Sequence, residues 1–200
     1  MSWVNLASIV EITEAEGPGR RTAIWLQGCL KRCPGCCNPH FLPIRPAQII
    51  TPAELIGRIL DAKTKHNIEG ITLLGGEPFL QATGLAEVAE RVKAAELSVM
   101  IFTGYVLEEL VEDRFSGAER LLASTDVLVD GEYEKDKPEG LRNWVGSTNQ
   151  RFHYFTDFYN NCIENSPQAV TNEWRIDANA KIVDNGLPYK LKLISSKKLE

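Results

Sequence analysis

The sequence predicts an α/β chain organised on a mostly parallel sheet, and three observations predict it. Short, near-continuous apolar runs occur at Ala23–Leu26, Ile71–Leu74, Leu97–Phe102 and Val127–Val129, as strands buried on both faces should read. Helical periodicity fills the gaps between them, and the later strands follow at intervals of about 25–30 residues, the rhythm of right-handed βαβ units. Each run also ends in glycine beside a polar or thiol residue: Gly28-Cys29, Gly75-Gly76-Glu77, Thr103-Gly104 and Asp130-Gly131. In a parallel sheet these ends share one rim, where ligands bind.

Taken in order, Ser8–Thr13 alternates enough for an edge strand. Gly17-Pro18-Gly19 punctuates the loop before Ala23–Leu26. Pro39, Pro43 and Pro46 keep residues 38–50 irregular. Thr51-Pro52-Ala53-Glu54 is a helix start, with Thr at the N-cap, Pro at the first helical position and Glu at the third. That helix runs to about Lys65, with Leu55, Ile56, Ile59 and Leu60 on its apolar face. A second helix is predicted over residues 84–96, with Leu85, Val88, Ala89 and Val92 inward. Two shorter helices are predicted over Leu107–Arg114 and residues 117–123. After Gly131 the chain turns charged and loop-like, then Phe152–Phe155 reads as a strand. Residues 157–170 have no clear period. Glu173–Asp177 and Lys181–Val183 flank a turn and read as a C-terminal hairpin, in a tail that also carries Tyr189.

Composition bounds the function classes. The chain of 200 residues is 44% hydrophobic and 24% charged, ordinary for a globular domain. Its formal net charge of −5 gives no overall attraction for nucleic acid. No charged-then-apolar leader and no membrane-length apolar run is present, so the expected location is cytoplasmic, where thiols stay reduced. Four of the five cysteines, Cys29, Cys33, Cys36 and Cys37, fall within nine residues. That clustering favours metal or redox chemistry over a disulfide framework.

The first three have the spacing C-x3-C-x2-C on one loop. Three thiolates can hold three corners of an iron–sulfur cubane, leaving one iron for a small chelating ligand. Gly75-Gly76-Glu77-Pro78 suits the ammonium end of such a ligand: backbone carbonyls accept its N–H bonds and the carboxylate offsets its charge. Two other readings stand beside this one. Cys33–Cys36 resembles a redox dithiol, but Asn38, Pro39 and Pro43 interrupt the helix that such a motif opens. Cys29, Cys33, Cys36 and either Cys37 or His40 make a conceivable zinc set, though structural zinc usually draws on two separated loops. Cys162 reads as a plain buried or half-buried thiol, and Asp130 alone is compatible with a simple strand-end cap.

Cys29-x3-Cys33-x2-Cys36, followed one βαβ unit later by Gly75-Gly76-Glu77-Pro78, resembles the radical S-adenosylmethionine superfamily. Gly17-Pro18-Gly19-Arg20, Cys33-Pro34-Gly35-Cys36, Thr103-Gly104-Tyr105, Val127–Gly131 and Gly146–Gln150 narrow the resemblance to the activating enzymes of anaerobic ribonucleotide reductase. It spans about residues 8 to 155. It implies a partial (β/α) barrel over residues 1–156, with residues 157–200 as a C-terminal β-hairpin extension packed on the same domain. It also implies a 4Fe–4S cluster on Cys29, Cys33 and Cys36, with S-adenosyl-L-methionine on the open iron. Reductive cleavage of S-adenosylmethionine would give a 5′-deoxyadenosyl radical that abstracts hydrogen from the substrate, so the implied enzyme is a radical oxidoreductase. In the cofactor-binding stretch Gly75, Gly76, Glu77 and Pro78, Glu77 and the Gly75-Gly76 backbone would hold the methionyl ammonium, and Pro78 stiffens the exit. Thr103, Asp130, Ser147 and Asn149 are candidates for the carboxylate, the ribose or a nearby cation, and Asn38 for the reacting end.

The implied partners are a protein or peptide substrate and an electron donor such as flavodoxin or ferredoxin, with no membrane and no nucleic acid. An activase that makes a glycyl radical on a large enzyme is the first expectation. A maturase that epimerises, crosslinks or excises within a precursor peptide is the alternative, suggested by about 45 residues of tail beyond Phe155. Cys37 stands where this branch often carries an aromatic residue. The cluster reading predicts that Cys33→Ala loses bound iron on anaerobic reconstitution, whereas Cys37→Ala and Cys162→Ala keep it, as iron and sulfide analysis will read.

Overall fold

The computed structural model describes residues 2–112, 114–176, 179–180 and 182–186. Seven strands form one sheet: β1 (Val4–Thr13), β2 (Arg21–Leu26), β3 (Gln48–Ile50), β4 (Gly70–Gly75), β5 (Ser98–Phe102), β6 (Val127–Asp130) and β7 (Arg151–Tyr154). Their order is β3-β1-β2-β4-β5-β6-β7. The central four, β2, β4, β5 and β6, are parallel, while β1 and β7 flank them antiparallel. The architecture is the mostly parallel α/β sheet that the apolar runs predict.

Strand alternation sorts the side chains onto two faces. Ile24, Leu26, Ile71, Leu73, Val99, Ile101 and Leu128 join the main core. Helices α1 (Pro52–His66), α2 (Ala82–Ala94) and α4 (Ala118–Ala123) contribute Leu55, Ile59, Leu85, Val88, Val92 and Leu121 to that core. The opposite face carries Ala23, Trp25, Leu74, Met100, Val127 and Val129. Irregular chain covers this second face: Val145, Tyr159 and Ile163 pack on it, and a Cβ at Gly17 would stand 2.9 Å from Met100 Sδ.

Several elements differ from the sequence expectation. The strand predicted over Ser8–Thr13 extends back to Val4, and β3 pairs with the added residues Val4–Leu6 only, so Ser8–Thr13 keeps the outer position expected of it. Gln48–Ile50 therefore leaves the irregular 38–50 stretch as a short strand: Pro46 lies just ahead of it and removes no ladder donor. The capping box opens α1 as expected, with Thr51 and Glu54 bonded to each other's backbone N–H. The second helix starts two residues early, since a 3-10 turn over Pro78–Gln81 leads straight into it. Helix α3 (Leu107–Leu110) stops short of the expected Arg114; Glu109 turns back onto Val106 N–H at 2.9 Å and closes a single turn. Cys162 is exposed, on a 3-10 turn at Asn161–Asn165.

Strands β8 (Asn172–Ile176) and β9 (Ile182–Gly186) pair antiparallel; Tyr189 lies outside the described residues. The tail bonds to the amino ends of the parallel strands. Asn185 Nδ2 donates to Thr13 Oγ1 and Glu16 Oε1, Arg175 donates to Ile12 O, and Glu14 N–H donates to Glu173. Arg21, 0% exposed, is the anchor at the start of β2. Its guanidinium donates to Thr72 Oγ1, Ile71 O, Pro18 O, Ser98 Oγ and Tyr159 Oη. All five acceptors are neutral, so burial lowers its pKa and satisfaction of the N–H groups is what makes its burial tolerable. Tyr159→Phe removes one of these acceptors and should lower stability by about 1–2 kcal/mol, read as a lower urea midpoint at unchanged slope.

Candidate active site

The cysteine loop leaves the carboxyl end of β2 and is closed at its neck. Gly28 N–H donates to Phe41 O at 2.7 Å and Cys29 N–H to Leu42 O at 3.0 Å. Gln27 Nε2 adds a bond to Pro43 O at 2.7 Å. Within the loop, Cys36 N–H donates to Cys33 O and Asn38 N–H to Cys36 Sγ. Cys29 is buried, Cys33 and Cys36 are half-buried, and Cys37 is exposed. A hydrogen bond from the Cys37 thiol lowers the Cys36 pKa to about 6 and raises that of Cys37. Asn38 Nδ2 also reaches Cys37 Sγ at 3.4 Å. Among the described residues no three Cys, His, Asp or Glu side chains form a one-ion metal site, and His40 is exposed.

The end of β4 sits against this neck. Gly76 N–H donates to Leu26 O and Glu77 N–H to Gly28 O, both at 2.8 Å. A Cβ at Gly76 would come within 2.4 Å of Gly28 O, closer than any side chain permits, so glycine is required for this approach. Glu77 is 0% exposed. Its carboxylate accepts from Phe79 N–H at 3.0 Å, Thr103 Oγ1 at 2.8 Å and Gly104 N–H at 2.9 Å. Pro78 opens the buried turn that follows. Burial raises the Glu77 pKa to about 7 against these three stabilising bonds.

The other rim candidates have structural partners as well. Asp130 accepts from Leu107 N–H at 2.7 Å and from Arg151 Nε at 2.9 Å. His153 Nε2 lies 3.0 Å from Asp130 Oδ2 but outside hydrogen-bond geometry. Asp130 thus joins β6, α3 and β7; desolvation acts to raise its pKa, but Arg151, the Leu107 N–H and His153 together outweigh it and the pKa is lowered. Ser147 Oγ accepts from Glu134 N–H and holds the 132–147 segment in place. Asn149 donates to Glu132 O at 2.8 Å, while its Oδ1 is buried with no hydrogen-bond partner among the described residues.

Sequence patterns passed over two groups. Lys31, between the first two cysteines, reaches Glu109 at 3.2 Å and Glu132 at 3.0 Å. Tyr133 fills the space between two glycines: its ring lies 3.4 Å from a Cβ position at Gly35 and 3.1 Å from one at Gly146. The motif spacing carries no sign of either, because Lys31 to Glu132 spans 101 residues and Tyr133 reaches back to Gly35 on the cysteine loop.

Residues 15–153 match the family model of the 4Fe-4S single cluster domain. The chain belongs to this family. Its radical S-adenosylmethionine branch holds relatives named anaerobic ribonucleoside-triphosphate reductase-activating protein. One, from Enterobacteria phage T4, is 32% identical over 145 residues, covering 70% of this chain and 88% of its own. Another, from Vibrio cholerae, is 29% identical over 160 residues, covering 76% and 99%. A solved structure of QueE from Escherichia coli aligns with TM-score 0.43 at 15% identity, covering 51% of this chain and 53% of its own. The cofactors of the 4Fe-4S family branch to which this chain belongs are an iron–sulfur cluster and S-adenosylmethionine. The donor set fits them: three thiols on one closed loop, a glycine approach beside them, and an unpartnered amide oxygen on the same rim.

Glu77 supplies a pH signature of this packing. An unfolded glutamate ionises near 4.5, whereas folded Glu77 holds its proton to about 7. The folded state therefore binds more protons across that window. Its contribution to stability is complete below about 4.5 and is lost as pH rises through about 7. Glu77→Gln should flatten the fall in unfolding free energy between about pH 5 and about pH 8 by ~1–3 kcal/mol, as urea titrations will show. Glu16, similarly raised to about 7 by burial, leaves a residual slope.

Proposed function

We propose that this protein is the activating enzyme of an anaerobic ribonucleotide reductase, generating a glycyl radical on that large partner. The observation that carries the reading is the cysteine loop clamped to the Gly75–Gly76 strand end, in a chain that aligns with activating proteins over most of their length. When bound, the 4Fe–4S cluster and S-adenosylmethionine supply a 5′-deoxyadenosyl radical able to abstract hydrogen from a protein glycine.

The chain's own residues bind, orient and shield. Cys29, Cys33 and Cys36 hold the cluster. The Gly75 and Gly76 carbonyls and Glu77 receive the methionyl ammonium, and an arriving cation draws Glu77 into its ionised form. Asn149 Oδ1 offers a buried acceptor to the ribose, and Asn38 flanks the reacting end. Thr103, Asp130 and Ser147 act at one remove. Thr103 steadies Glu77, Asp130 fixes the start of α3, and Ser147 holds the 132–147 segment. The parallel strands form a partial barrel in this reading. Residues 1–156 make the cofactor-bearing domain, and residues 157–200 an extension packed on it.

The tail is the feature on which a peptide-maturase reading rests. Its bonds to Thr13, Glu16, Arg21 and Ser98 lie at the amino ends of the strands, away from the cysteine neck at the carboxyl ends. That placement supports a scaffold role for it and favours the activase. Reduced, reconstituted enzyme with S-adenosylmethionine and an anaerobic ribonucleotide reductase should give 5′-deoxyadenosine and a glycyl radical EPR doublet on the reductase. Cys33→Ala should give neither. A mass change on a short peptide, with no protein radical, would sink the assignment.

A further inference from the structure

Among the described residues, the three-cysteine loop makes its ion pairs with the rest of the rim through Lys31. Its Nζ sits 3.2 Å from Glu109 Oε2 on α3 and 3.0 Å from Glu132 Oε1 after β6. It also lies 4.3 Å from the centroid of the Tyr105 ring, within cation–π range. The aliphatic stem crosses Gly104, where a Cβ would stand 3.2 Å from Lys31 Cγ. The side chain is 16% exposed, so water screens these contacts only in part. The second oxygen of Glu132 lies 3.7 Å from Cys33 Sγ. One ammonium thus joins the loop to three separate rim segments, and one of its carboxylate partners touches a cluster cysteine.

We propose that Lys31 is a positioning residue for the cysteine loop: it ties the loop to the ends of β5 and β6 and offsets the negative charge that Glu132 brings to Cys33. The mechanical half stands on the contacts alone. The electrostatic half rests on the cluster reading above. A carboxylate against a thiolate repels it, and the ammonium shared between Glu109 and Glu132 is what makes that arrangement tenable. An arginine retains charge and reach, whereas methionine retains only the stem.

Hydrogen exchange on the full-length, metal-free chain tests the mechanical half. In Lys31→Met, peptides spanning residues 29–37 should exchange about fivefold faster, the upper range for an ion pair at a part-buried site. Lys31→Arg should restore protection, and Glu109→Gln should give an intermediate rate. Protection unchanged in Lys31→Met, or lost equally in Lys31→Arg, overturns the tie. Should Lys31→Met fail to fold, Glu109→Gln against the parent decides it, because it removes a partner and leaves the lysine.

In iron-loaded protein, loss of a nearby cation should make the cluster's midpoint potential more negative in Lys31→Met and leave it near the parent value in Lys31→Arg. An unchanged potential in Lys31→Met overturns the charge-offset role. If the parent itself takes up no iron and sulfide, the cluster reading fails and the charge-offset role falls with it, while the exchange result still decides the tie.

Discussion

The hydrogen bond from Glu77 N–H to Gly28 C=O, with its neighbour from Gly76 N–H to Leu26 C=O, sets the geometry of the whole rim. It extends the β2–β4 ladder past the point where both chains leave the sheet. It can form only because Gly76 carries no side chain: an added methyl there would overlap the Gly28 carbonyl. The Glu77 carboxylate then continues the link sideways, through Thr103 and Gly104, to the end of β5. A cysteine loop, a glycine strand end and a third strand end are thereby held as one piece. Three donors offset only part of the desolvation cost of burying Glu77, whose pKa stays raised.

The two faces of the sheet are finished by different means. Helices α1, α2 and α4 close one face with a large aliphatic core. Loops and the tail close the other, using polar anchors rather than apolar stripes. Arg21 shows how this works at the amino ends. A buried guanidinium with five neutral acceptors gathers Pro18, Ile71, Thr72, Ser98 and Tyr159 about one point. Directional bonds of this kind specify one arrangement of irregular chain where nonspecific burial would allow several.

The strands, their helices and the cysteine spacing were legible in the sequence because period and punctuation are local. So was the rim, since the glycine-ended strands Leu26–Cys29, Leu74–Glu77, Phe102–Gly104 and Val129–Gly131 carry their own stop signals. Gln48–Ile50 was not legible: three residues after three prolines carry no period, and only β1 alongside makes them a strand. The early stop of α3 depends on one side chain turning back on the backbone. Lys31 and Tyr133 were hidden for a different reason. Their partners lie far along the chain, and a loop lysine or an aromatic in a charged stretch has no local signature. The roles of Thr103, Asp130 and Ser147 as braces likewise emerge only from who donates to whom.

The seating of Tyr133 between Gly35 and Gly146, with Glu132 against Cys33 across 99 residues, bears on the order in which the chain assembles. During synthesis the cysteines emerge early, long before the segment that steadies them. A nascent chain released only as far as β5 has these thiols but lacks Glu109, Glu132 and Tyr133, which pack against their loop. Contacts of such separation close late. The loop therefore reaches its final shape only after residues 132–150 have been made and folded back.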